Sequence, residues 1–194
     1  MDYITFNEIA KIFSGIRNTS VKEDEKKYTY KSITLNHDNN FKIDKNNLEK
    51  IQINKKIDDK YLLQKGNIIM KLTPPYTSRI IEFNENNLTT TSNYAIIKIY
   101  EEYSPEILNF YLNSYYVKKQ IHQVSEENTM RVVNISNIKK FKIRKIDEKN
   151  KETYTELINT FNNKKRLMEK QIQIEEDLLE EILFGEKLWI LMIY

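Results

Sequence analysis

Glu106-Ile107-Leu108-Asn109-Phe110-Tyr111-Leu112-Asn113-Ser114 and, after a polar interval, Asn128-Thr129-Met130-Arg131-Val132-Val133-Asn134-Ile135-Ser136 decide how the chain divides. In the first segment Ile107, Leu108, Tyr111 and Leu112, continued by Tyr115 and Tyr116, recur at helical spacing. Ser104-Pro105 ahead of it supplies a capping hydroxyl and a proline at the first helical position. Gln123–Asn128 reads as a polar loop, Arg131–Ile135 as a short extended piece, Ser136 as the cap of a turn over Asn137–Lys140, and Phe141–Ile143 as a last strand. Beyond it, from Lys149 to Phe184, 36 residues pass without Gly or Pro. The stretch therefore joins a folded body, residues 1–147, to a helical arm, 148–187, and an apolar tail, 188–194.

Working back from it, the body alternates strand-like segments with turns. Tyr28–Leu35, Leu48–Ile53, Ile68–Leu72, Arg79–Phe83 and Asn93–Tyr100 suit strands, and Asn36–Asn47 and Asn84–Asn87 suit turns. Asp58–Leu63 suits a short helix running toward Gly66. Near the N-terminus, Thr5 with Glu8 three residues on is a capping box, and Ile9, Ile12 and Phe13 share a helical face that Gly15 ends. The predicted fold class is α+β, with a mixed or antiparallel sheet and a long C-terminal coiled-coil-like helix.

In the arm, Leu157, Ile158, Phe161, Met168, Ile172, Leu179 and Ile182 follow a seven-residue pattern interrupted by Lys165 and Glu175. Leu167, Ile174 and Leu178 form a second stripe. Such a helix is about 50 Å long at 1.5 Å per residue, against about 25–30 Å for the diameter of a domain this size. It calls for a partner helix, with Phe161, Met168, Ile172, Leu179 and Ile182 as the interface of a homodimer; the alternative is a helix folded back on its own domain. The tail Leu188–Tyr194 is a run of seven apolar or aromatic residues that wants cover, from a partner or from the body.

Composition narrows the chemistry. The chain has no Cys, which removes disulfides, thiolate metal sites and a Cys nucleophile together. Met1–Ala10 is acidic and amphipathic rather than a leader, no apolar run reaches the ~20 residues of a membrane span, and the cytoplasm is the default location. The net charge is +3, but residues 148–187 hold seven Lys/Arg and ten Asp/Glu, a balance of −3, which leaves +6 on the rest. That asymmetry suits an anionic partner for the body and a protein partner for the arm, although a solvated surface with a small bias gives the same count.

Catalytic patterns are weak. Thr73-Pro74-Pro75-Tyr76 after an apolar strand looks like the Asn/Asp-Pro-Pro-Tyr loop of amino-group DNA methyltransferases, but Thr73 lacks the planar acceptor, and with Gly only at 15, 66 and 185 there is no cofactor-binding glycine loop. His37 and His122 lack zinc spacing, and Asp58-Asp59-Lys60 reads as a solvated turn rather than a nuclease centre. No serine sits in a glycine elbow. Neither metal nor cofactor is expected, and no enzymatic activity. Polar loops are better placed for nucleic acid: Arg17-Asn18-Thr19, Lys71 with Tyr76-Thr77-Ser78-Arg79, and Asn128-Thr129 with Arg131. Arg reads guanine bidentately, Asn reads adenine, and Ser and Thr reach phosphates. Each loop taken alone reads first as a surface turn.

The order of segments resembles the target recognition domain of a type I restriction-modification specificity (S) subunit. Four places carry the likeness. Phe6–Gly15 resembles the family's opening helix ending in Gly. Leu63-Gln64-Lys65-Gly66-Asn67-Ile68-Ile69-Met70 resembles its Leu-x-x-Gly-Asp strand, with Asn67 where Asp is usual. Pro105–Ser114 with Asn128–Ile138 resembles its helix-loop-turn segment, without the glycine often found before the threonine. Leu178–Glu186 resembles the end of its conserved helix, whose usual opening Pro and Gln are replaced by Asp147–Lys151. A full specificity subunit carries two recognition domains and two conserved helices that pair antiparallel. The resemblance implies a half-subunit that dimerises head to tail through Lys149–Phe184, reads a two-fold symmetric split site on double-stranded DNA, and works with methyltransferase (M) subunits and through them a restriction (R) subunit. A protein-interaction or assembly module that kept the arm and does not read DNA itself is the alternative.

Overall fold

The computed structural model describes residues 2–17, 27–34, 43, 45–125 and 131–185. These form two units, Met1–Lys151 and Glu152–Tyr194.

Among the described residues, the first unit contains nine strands and four complete α-helices. β1 (Tyr3–Thr5), α1 (Phe6–Ile9) and β2 (Ala10–Ser14) come first, then β3 (Tyr28–Ile33), β4 (Glu49–Ile53), β5 (Ile68–Lys71), β6 (Ser78–Ile80), β7 (Leu88–Thr90) and β8 (Tyr94–Ile99). α2 (Pro105–Asn113), α3 (Tyr115–Ser125), α4 (Ile135–Ile138) and β9 (Lys142–Arg144) complete it. Four strands form an antiparallel sheet in the order β2-β8-β5-β6. Three form a second sheet, β4-β3-β7, mixed because β3 runs antiparallel to β4 and parallel to β7. β1 and β9 make a separate antiparallel ribbon. The architecture is α+β with mixed and antiparallel sheets, as the sequence predicts.

Alternation along the strands of the four-stranded sheet divides the apolar interior. Ile68 and Met70 of β5 join Phe6, Ile12, Leu108, Leu112, Val117 and Ile121 beneath the helices. Ile69 of the same strand, with Tyr94 and Ile96, joins Ile33, Ile81 and Leu88 on the other face. β5 is thus apolar on both faces because both are covered, by helices on one and by the second sheet on the other. A smaller group, Tyr30, Ile51, Ile53 and Ile57, lines the second sheet, and the Tyr30 hydroxyl accepts from the Ile57 N–H at 2.9 Å.

Three local expectations change. The capping box forms, with the Glu8 carboxylate accepting from both the backbone N–H and the hydroxyl of Thr5 at 2.7 Å, but the helix it opens stops at Ile9. Ala10 and Ile12 are buried and Lys11 is exposed, and the segment pairs with β8 from Ala10↔Ile99 to Ser14↔Ala95. A buried ladder outweighs the weak helical spacing of Ile9, Ile12 and Phe13. The helix over Ile107–Tyr116 breaks at Ser114 into α2 and α3, with the Ser114 hydroxyl donating to the Tyr111 carbonyl at 2.6 Å. Asn134, two residues before Ser136, takes the N-cap position of α4 and makes no side-chain bond to the turn.

The second unit is the main part of α5 (Glu148–Phe184), 37 residues long or about 55 Å. None of its residues is fully buried, and Phe161, Met168, Ile172, Leu179 and Ile182 are each more than half exposed. The helix ends on Gly185, whose positive φ of 64° suits a glycine stop and whose N–H donates to the Glu181 carbonyl at 2.9 Å. Among the described residues no helix is long and apolar enough to cross a membrane.

Candidate nucleic-acid interface

Strand direction brings separate loops to one end of the four-stranded sheet. β2 and β5 end there, and β8 and β6 begin there. Past β2, the Gly15 N–H donates to the Tyr94 carbonyl and the Ile16 N–H to the Thr90 carbonyl, both at 2.9 Å, which leads the exposed Arg17 out of this end. Ile16 also bridges Thr91 in parallel, and its carbonyl accepts from the Ser92 N–H at 2.7 Å. Past β5, the Lys71 N–H donates to the Thr77 carbonyl and the Leu72 N–H to the Asn93 carbonyl, both at 2.9 Å, closing the Pro74-Pro75 loop beside the β7–β8 turn. The Leu72 carbonyl accepts from the Val133 N–H at 2.9 Å, and the Tyr76 hydroxyl donates to the Arg131 carbonyl at 2.6 Å. The Arg131 segment, 55 residues from Tyr76 in sequence, is thereby fixed to the same end.

Arg17, Lys71, Tyr76, Thr77, Ser78, Arg79 and Arg131 therefore stand together. Asn18, Thr19, Asn128 and Thr129 lie outside the described residues. Arg17, Arg79 and Arg131 have exposed side chains, whereas Lys71 and Thr77 are half-buried. Tyr76 and Ser78 turn inward. The Tyr76 ring is in the core and meets His122 edge-on at 6.4 Å. The Ser78 hydroxyl donates to Asn109 Oδ1 at 2.8 Å, and its N–H donates to Asn113 Oδ1 at 3.0 Å. Asn113 Nδ2 returns bonds to the Ser78 hydroxyl at 2.9 Å and its carbonyl at 3.1 Å. This network fastens the start of β6 to α2 and so sets where Arg79, one residue on, leaves the sheet.

Among the described residues the end is one-signed. Gly15–Arg17, Lys71–Arg79, Thr91–Asn93 and Arg131–Asn134 contain Arg17, Lys71, Arg79 and Arg131 and no acid. The opposite end of the sheet is flanked by Glu8, Glu82, Glu101 and Glu102, with Lys65. The Glu8 carboxyl is held below its ordinary pKa, first by the Thr5 hydroxyl and then by the Thr5 N–H. At the basic end, burial pushes the Tyr94 hydroxyl up to about 12. Two hydroxyls there, on Thr77 and Thr91, are buried and have no hydrogen-bond partner among the described residues. Buried donors left this way are costly until water or a ligand satisfies them.

Thr91–Asn93 was not legible as part of the site, because nothing in a short Thr-Ser-Asn turn separates it from any other surface turn. The network residues Asn109 and Asn113 carried a signal in hindsight: two asparagines four apart on the otherwise apolar run of α2. Among the described residues no group of three or more His, Asp or Glu stands close enough to hold a metal.

No family model matches the chain, and no curated protein matches it. Solved structures do. One chain from a structure of complex assembly and conformational transition in the type I restriction-modification system superposes at TM-score 0.64 and 9% identity, over 93% of this chain and 43% of that one. The type I restriction-modification S subunit from M. genitalium superposes at 0.53 and 14% identity, over 92% and 44%. The HsdS subunit from Thermoanaerobacter tengcongensis superposes at 0.55 and 9% identity, over 95% and 45%. The chain spans less than half the length of each. At these identities the likeness is one of fold, and the fold it identifies is that of the type I restriction-modification S subunits.

Proposed function

We propose that the chain is a DNA-binding specificity module of a type I-like restriction-modification system, acting in the cytoplasm without catalysis, metal or cofactor of its own. Residues 1–147 are its recognition domain, and residues 148–187 a helix that pairs with a second copy to make a functional dimer. The observation that carries the reading is the assembly of four basic residues from three separate segments at a sheet end that holds no acid among its described residues. It stands on a fold shared with S subunits. Arg17, Arg79 and Arg131 reach duplex DNA directly and Lys71 adds phosphate attraction; Thr77 offers its unpartnered hydroxyl. Tyr76 and Ser78 act by holding the Arg131 and Arg79 segments in place. Methyltransferase subunits, and through them a restriction subunit, are the protein partners.

The test is electrophoretic mobility of duplex DNA with the full chain, alone and with a methyltransferase subunit, across a salt series. Binding is expected at low salt and to weaken steeply as salt rises. Arg79→Ala with Arg131→Ala is expected to lower affinity about 10- to 100-fold and to reduce the salt slope by about one for each phosphate no longer neutralised. No shift at low salt in either setting, or a double variant that binds like the wild type, sinks the reading. The exposed apolar residues of α5 favour one second reading, an assembly module that does not touch DNA. Partner binding that survives the double substitution while the chain never shifts DNA would select it.

A further inference from the structure

The apolar stripe of α5 contains two charged interruptions, and their placement specifies its occupant. Ile158, Phe161, Lys165, Met168, Ile172, Glu175, Leu179 and Ile182 are spaced alternately three and four residues apart, the seam of a two-stranded coil. The described helix is continuous through all of them. Lys165 and Glu175 are exposed, and Lys165 meets Glu169 of its own helix, one turn on, at 3.7 Å.

A parallel pair of these helices sets Lys165 against Lys165 and Glu175 against Glu175 inside the seam. An antiparallel pair has one register in which every apolar seam residue meets another: Met168 against the second copy's Ile172, Phe161 against its Leu179, Ile158 against its Ile182. In that same register Lys165 meets the second copy's Glu175, and by symmetry the pair occurs twice. Sliding by one heptad either way puts Lys165 and Glu175 each opposite an apolar residue.

Given a self-paired α5, we infer that Lys165 and Glu175 are the residues that determine the direction and register of the pair. The inference rests on the self-pairing proposed above and adds what selects it. Two charged pairs in an apolar seam penalise every other alignment more than they strengthen the right one, so their effect is on specificity.

Light scattering on the full chain tests it with Lys165→Glu, Glu175→Lys and the double exchange, with circular dichroism as the check on folding. The wild type is expected as a dimer, each single exchange to weaken the dimer at least about tenfold, and the double exchange to restore it. Parallel pairing gives a different pattern, because there a single exchange only swaps one like pair for another. A second measurement uses the absence of cysteine from the chain. Phe161→Cys mixed with Leu179→Cys is expected to form a disulfide between the two variants, and neither variant to cross-link with itself. A monomeric wild type overturns the pairing itself. A dimeric wild type that single exchanges leave intact, or that the double exchange fails to restore, overturns the register while leaving the pairing.

Discussion

Tyr94 links the interior to the candidate site. Its side chain is fully buried, its hydroxyl donates to the Thr34 carbonyl at 3.2 Å, and its backbone carbonyl receives the Gly15 N–H at the basic sheet end. Ionising it in place is unfavourable, which is why its pKa rises from 10.0 to about 12. The unfolded chain loses that proton first. The stabilisation is therefore complete below pH 10 and is lost as pH climbs toward 12, by about 2–3 kcal/mol at 1.36 kcal/mol per unit. Urea melts of the wild type and Tyr94→Phe between pH 8 and 12 check this. The variant is expected to be about 1 kcal/mol less stable at pH 8 and the more stable of the two near pH 12. At this scale the sequence named residue types well and their directions poorly. Arg17, Arg79 and Arg131 are exposed, while Tyr76 and Ser78 from the same polar loops face inward. Which way a loop side chain turns depends on partners distant in sequence, such as Asn109 for Ser78.

Elements were legible wherever one period dominated. The segments over β5 and β8 stand out as continuous apolar runs, and α5 as a seven-residue pattern that persists across two charged interruptions. The segment Ala10–Ser14 satisfied both periods and went to the one with a neighbour to pair with. β7 carried no readable pattern, since its three residues are buried on both sides and two of them are threonines. Thr90 solves its own burial by donating to the Ile33 carbonyl at 2.9 Å, and Thr89 donates to the Tyr61 carbonyl at the same distance. The junction of α2 with β6 is the one most relevant to the site. Asn113→Ala removes the acceptor of the Ser78 N–H and the donor to its carbonyl. It is expected to cost about 2 kcal/mol in denaturant melts and, because Arg79 follows Ser78, to weaken DNA binding in mobility shifts by more than its stability loss explains.

For the molecule as a whole, the two larger sheets are stapled where β2 ends. A Cβ on Gly15 would stand 2.1 Å from the Thr91 carbonyl oxygen and 2.6 Å from that of Thr90, both backbone atoms with no flexible end to move. Gly15→Ala is expected to lower stability by about 3 kcal/mol in equilibrium unfolding, with the loss of DNA binding following that of the fold. The sequence identified Gly15 as a helix stop; its actual constraint, the close passage of a second chain segment, is a three-dimensional fact with no local signature.

The ribbon of β1 and β9 has its own consequence. Tyr3 pairs with Arg144, and the Lys145 N–H donates to the Asp2 carbonyl at 2.9 Å. The polypeptide thus enters and leaves its globular body at a single point. A body with adjoining entry and exit can be inserted into another chain, strung in tandem, or opened elsewhere and rejoined here by a short linker, with little disturbance of its interior. In genetic terms the body is a cassette, exchangeable as a block through this one junction.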